Sequence, residues 1–153
     1  ECSPWVFGLG DESCTSVIST NVSLWVAVDG SFATTNGGTN FTLDVTPVPP
    51  LTHTVAPGFV DYDVQATMQV EFAVTSGSSY TVQWDDAWDG SGIYPGDVVV
   101  DAHYNSDWTA IFAGVDSGYS SPQTFTADRT GTVTLTIDPT YGPGLIGLQV
   151  TTP

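Results

Sequence analysis

The stretch Trp84-Asp85-Asp86-Ala87-Trp88-Asp89-Gly90-Ser91-Gly92-Ile93-Tyr94-Pro95-Gly96-Asp97 carries the densest set of chemically capable side chains in the chain. Asp85, Asp86, Asp89 and Asp97 are hard oxygen donors in a glycine-rich loop, the composition a calcium site uses. The spacing is not that of an EF-hand. With Asp85 as first ligand, Ala87 falls where a second acid belongs, and no Glu closes the loop. Calcium is thus an optional ligand in this reading and no cofactor is required; a solvated acidic turn is the plainer account. The same loop permits sugar binding, with Trp88 and Tyr94 stacked on pyranose faces and Asp accepting hydroxyl hydrogens. Trp84 continues the alternation of Tyr80 and Val82, which assigns it to a core. Trp88 lies past that alternation and is the one expected in solvent.

Asp101 and His103 project from one face of a strand, with Asp97 farther along it. That pair is compatible with a metal clip or an acid–base couple, but a lone surface histidine is the commoner case. The chain has no Gly-x-Ser-x-Gly elbow and no His-Glu-x-x-His. Its Asp residues are too numerous for a glycosidase pair to stand out. The expectation is a protein that is not an enzyme.

Seventeen acids face a single Arg, for a formal charge of -16 over 153 residues. With almost nothing cationic to meet phosphates, nucleic acid and anionic membrane surfaces are excluded as partners. No apolar run approaches the length of a membrane span, so membrane insertion is not expected. A hydrophobic content of 41% is that of a folded chain, and the length is that of one domain.

Cys2 and Cys14 are the only cysteines and read as one disulfide formed in an oxidising, extracellular compartment. Such a loop contributes about 3 kcal/mol by restricting the unfolded chain. It encloses Trp5, Val6, Phe7 and Leu9, apolar side chains that need cover. The sequons at Asn21 and Asn40 fit a secreted glycoprotein.

The elements that hold these residues follow a period of two. From Tyr62 to Val74 every even position is apolar, which predicts one long strand with one face buried. Val22–Val28, Phe41–Val45, Tyr80–Trp84, Val98–Tyr104, Trp108–Phe112, Gln123–Thr126, Thr132–Ile137 and Ile146–Val150 read as further strands, and no segment reads as a helix. The prediction is an all-β protein: an antiparallel, jelly-roll-like β-sandwich of about ten strands with an N-terminal disulfide loop. Residues 1–153 form one domain: loop and arm over 1–21, first strands over 22–46, a Pro-rich crossover over 47–58, and the main strands over 59–153.

Four segments of the second half, Tyr80-Thr81-Val82, Gly96–Ala102, Thr124–Ile137 and Leu148–Thr151, resemble the secreted bacterial pre-peptidase C-terminal domain. The resemblance runs over residues 60–152; Val133 stands where that family usually has an aromatic residue. It implies a jelly-roll-like sandwich on an exported protein, an accessory role in binding or secretion, and no catalytic motif.

Taken together these features predict a non-enzymatic extracellular structural or adhesive subunit. It would assemble head-to-tail with copies of itself, as a filament or surface layer, through Trp5, Val6, Phe7 and Leu9 or through the apolar end strand with Ile146, Leu148 and Val150. The alternative is a carbohydrate-binding accessory module centred on Trp88 and Tyr94, with glycans as partners.

Overall fold

The computed structural model describes residues 48–153. Cys2, Cys14, Trp5, Val6, Phe7, Leu9, Asn21, Asn40 and the strands expected over 22–46 lie outside the described residues.

Nine strands follow one another without a helix among the described residues: β1 (Leu51–Thr52), β2 (Ala56–Val64), β3 (Met68–Val74), β4 (Ser79–Asp85), β5 (Asp97–Tyr104), β6 (Ala110–Val115), β7 (Gln123–Thr126), β8 (Gly131–Gly142) and β9 (Gly144–Thr151). They build a five-stranded sheet in the order β1-β3-β8-β5-β6 and a four-stranded sheet in the order β2-β9-β4-β7. All pairings are antiparallel except the short β1–β3 contact, which is parallel. The inner faces of both sheets share one core. It includes Phe72, Leu135 and Ile137 from one sheet and Trp84, Ile146 and Leu148 from the other. This is a β-sandwich, as the alternating pattern predicts.

One expected strand is two. The strand expected from Tyr62 to Val74 is interrupted at residues 65–67, although the alternation runs on through them; β2 lies in the four-stranded sheet and β3 in the five-stranded one. Tyr62, Val64, Val70, Phe72 and Val74 are nonetheless all buried in the same core. A period of two reports which side faces inward, and the inward side is common to both sheets, so the corner leaves no mark on it.

The segment read as a Pro-rich crossover also contributes strand. Leu51–Thr52 pairs with β3, and Pro57 sits in β2. The β2–β9 register shifts between Ala56 and Val60, and β2 is an edge strand, so proline's missing donor costs no ladder bond there.

Strand β9 corrects a second expectation. It is flanked by β2 and β4, and Ile146, Leu148 and Val150 are fully buried in this chain's own core. Both of its hydrogen-bonding edges are filled, so it is not a free strand for a neighbour's sheet.

Register also fixes which loops share an end. Ser79 pairs with Thr126 at one end of β4, and Asp85 pairs with Gly147 at the other. At the Ser79 end Arg129 bonds Asp107 and Asp128 and lies 4.5 Å over the Tyr104 ring. The Arg129 guanidinium holds Asp107 at about 2, well below the usual carboxylate range. The acidic, aromatic loop between β4 and β5 lies at the other end.

Candidate functional site

The β4–β5 loop is held by its own carboxylates. Asp85 and Asp86 are buried at its root. Asp85 Oδ1 accepts from the Ser91 backbone N–H at 2.6 Å. Asp86 accepts from the backbone N–H groups of Trp88 at 3.2 Å and Val98 at 3.4 Å, tying the start of the loop to β5. Gly90 is required here: a Cβ would fall inside the Asp85 carboxylate and against the Asp86 carbonyl. Asp89 Oδ2 reaches out of the loop and accepts from Ser120 through N–H at 2.9 Å and hydroxyl at 2.6 Å. That joins the β4–β5 loop to the β6–β7 loop.

Tyr94 closes the far side. Its hydroxyl donates to Asp61 Oδ1 at 2.8 Å on β2. Its ring lies over Gly147 of β9, where a Cβ would meet ring and hydroxyl atoms at 2.8–2.9 Å. The hydrogen bond to Asp61 pushes the Tyr94 hydroxyl pKa up. Glycine at 147 therefore makes the seat on which the loop's aromatic anchor rests.

The four carboxylates expected as metal ligands do not converge. Asp85, Asp86 and Asp89 each serve N–H groups as above. Asp97 opens β5, with its Cα register partner at Gly142. Among the described residues no three His, Cys, Asp or Glu side chains stand close enough to hold a metal ion.

The aromatic residues divide as their positions suggest. Trp84 is fully buried; its ring stacks on Phe112 at 6.4 Å. Trp88 is 67% exposed and Ile93 75% exposed at the loop's tip. Tyr94 is half-buried in its anchoring role. Two aromatic residues join them that the sequence reading did not single out. Phe59 and Tyr119, 37% and 39% exposed, stack on one another at 6.2 Å. Tyr119 is placed by its carbonyl, which accepts from Gln83 of β4 at 3.2 Å. An aromatic residue amid Asp-Ser-Gly-Tyr-Ser-Ser-Pro was the available signal for Tyr119; Phe59 was hidden by the Pro-Gly just before it.

The Asp101–His103 pair is not an acid–base couple. Asp101 accepts from the Gly114 backbone N–H on β6. His103 is buried against Trp108, with ring centroids 3.3 Å apart, and burial lowers its pKa. It is a packed side chain, not a surface one, because Trp108 adopts a left-handed φ of 60° in the β5–β6 connection and lies on it.

Asp86 gives the site a pH dependence. Burial pushes its carboxyl up to about 6; the Val98 and Trp88 N–H bonds oppose this, while Asp89 and Asp97 add to it. The folded state thus holds this proton more tightly than the unfolded chain does between about pH 4 and 6. Stability from this group is full below that window and falls as pH rises through it, by on the order of 2–3 kcal/mol. Urea unfolding across that range should show this descent, and Asp86→Asn should flatten it. An unchanged slope in the variant would place the titration elsewhere. Asp107 acts with the opposite sign in a lower window, its contribution being lost as pH falls toward about 2.

The fold and loop geometry define the class: a two-sheet sandwich with no helix among the described residues and a pinned aromatic loop cluster at one end. Among solved structures the chain is similar to the pre-peptidase C-terminal domain of collagenase from Bacillus anthracis. The TM-score is 0.54 at 16% sequence identity, covering 70% of this chain and 99% of that one. This bears out the resemblance read from the second half at the level of fold. No family model matches the chain. No curated protein matches it either. No described helix is long and apolar enough to cross a membrane.

Proposed function

We propose that the chain is an exported, non-catalytic accessory module, a jelly-roll-like sandwich that binds carbohydrate at the loop end carrying Trp88. The observation that carries this reading is Trp88 itself: a large aromatic side chain 67% exposed on a loop pinned at four points, by Asp85, Asp86, Asp89 and Tyr94. Exposing tryptophan forgoes the stabilisation of burial, and pinning its loop lowers the entropy lost on binding. A rigid aromatic face beside carboxylate acceptors suits a pyranose ring. The likeness to a pre-peptidase C-terminal domain supports the accessory role by analogy of fold.

The test is retention on insoluble polysaccharides and titration with soluble oligosaccharides. Trp88→Ala should weaken binding by at least about tenfold, in line with the loss of one aromatic contact, and leave the unfolding midpoint unchanged. Undiminished binding in that variant would remove Trp88 from the site.

A second reading, self-association, keeps one specific support. Strand β6 is the outer strand of the five-stranded sheet, and its sequence Ala-Ile-Phe-Ala-Gly-Val carries no charge to discourage pairing. Sedimentation of the native, non-reduced protein separates the two readings. A large polydisperse species favours assembly, and a monomer at 16.1 kDa favours the binding module.

A further inference from the structure

The outward side of the four-stranded sheet extends the site beyond one tryptophan. Its register places Asp61, Gly147 and Asp85 in one row across β2, β9 and β4, and Gln149 beside Gln83 in the next. Tyr94 lies over the first row at Gly147. The second row is two residues along the strands, about 7 Å away by strand rise. There Gln83 donates to the Tyr119 carbonyl, Gln149 accepts from the Gly58 N–H at 2.6 Å, and Tyr119 stacks on Phe59. Two successive aromatic rows, the second carrying two amides, match successive rings of an extended polysaccharide better than a single sugar.

Charge selects among polysaccharides. The chain's single Lys or Arg is Arg129, and it is engaged with Asp107 and Asp128 at the opposite end of the sandwich. Both histidines are buried. No basic side chain is therefore at hand for a sulfate or a uronic acid. Carboxylates are. Asp61 commits Oδ1 to Tyr94, Asp63 commits Oδ1 to Gln65 at 2.6 Å, and both residues are exposed on β2. Asp89 Oδ1 is buried with no donor among the described residues. A protonated amine meets attraction from these carboxylates and from the aromatic faces alike, whereas an anionic sugar meets repulsion.

We infer that this sheet face binds a polysaccharide of protonated amino sugars, its rings on Tyr94 and the Phe59–Tyr119 pair and its ammonium groups on Asp61 and Asp63. The inference rests on the carbohydrate-binding reading above and narrows it to a cationic ligand class.

Fluorescence titration with chitosan oligomers, chitin oligomers of equal length and heparin tests it, in slightly acidic buffer of low ionic strength. The expected result is chitosan bound at least about tenfold tighter than chitin, with the gap closing as salt is added, and no binding to heparin. Tyr119→Ala should weaken both oligomers. Asp61→Asn, which keeps an oxygen for the Tyr94 hydroxyl, and Asp63→Asn should lower chitosan binding toward the chitin level and leave chitin unchanged. Tyr141→Ala, an exposed tyrosine outside the proposed face, should alter neither. Equal affinity for the two oligomers, or binding to heparin, overturns the cationic preference while leaving carbohydrate binding in place. Failure to bind any oligomer or insoluble polysaccharide removes both readings.

Discussion

Trp84→Ala should lower the unfolding free energy by about 3–5 kcal/mol, the largest effect expected of any single truncation in the described residues. The indole is fully buried, stacked on Phe112 and covered by Gly118. Removing it leaves a cavity against Phe112 of β6 and the β6–β7 loop at Gly118. Its Nε1 has no acceptor among the described residues. Part of the loss is therefore offset when that N–H goes, so Trp84→Phe should cost much less than Trp84→Ala. Denaturant midpoints measure both. The contrast with Trp88 is the sharper check: four residues along, the same truncation should leave the midpoint within about 0.5 kcal/mol while reducing ligand binding. A Trp84→Ala midpoint as mild as that would show the indole to be less tightly packed than the structure has it.

The second large effect is Gly118→Ala. A Cβ at this position would fall inside the Trp84 ring system. The ring cannot swing aside without losing Phe112, so the β6–β7 loop must lift instead. The loop also carries Tyr119 and Ser120, the partners of Gln83 and Asp89. A loss of about 3 kcal/mol is expected from overpacking, together with weaker glycan binding as Tyr119 moves. A double-mutant cycle supplies the decisive comparison. In a Trp84→Ala background the added methyl has room, so Gly118→Ala should cost far less there than in the native chain. Strict additivity of the two substitutions would mean that Gly118 and Trp84 do not share this contact.

Much of this architecture was legible in the residue pattern. Alternation located β4, β5, β7, β8 and β9 because each has one face in the core and one outside, and period two records that directly. It also separated Trp84 from Trp88. The pattern stopped at every question of which neighbour lies beside which. Tyr62–Val74 reads as one strand because both sheets present the same inward face. The C-terminal strand reads as free because its apolar residues are equally suited to a neighbour's core and to its own; only pairing with β2 and β4 decides that it is filled.

The candidate site divides in the same way. Composition settles its electrostatics: with one Arg in the chain, no fold could surround this loop with cations. Composition also marks Trp88 and the acidic loop as the place to look. What the acids do there depends on distances that sequence does not contain. Asp85, Asp86 and Asp89 hold backbone and Ser120 in place, with no three acidic or histidine side chains close enough to share an ion among the described residues, and His103 is packed beneath Trp108. Phe59 of β2 and Tyr119 of the β6–β7 loop stand sixty residues apart in the chain and meet because β9 brings β2 beside β4, whose Gln83 holds the Tyr119 carbonyl. In-or-out character is local and is written in the alternation of the chain. The company a side chain keeps is set by sheet order and register, which arise from the whole chain folding at once.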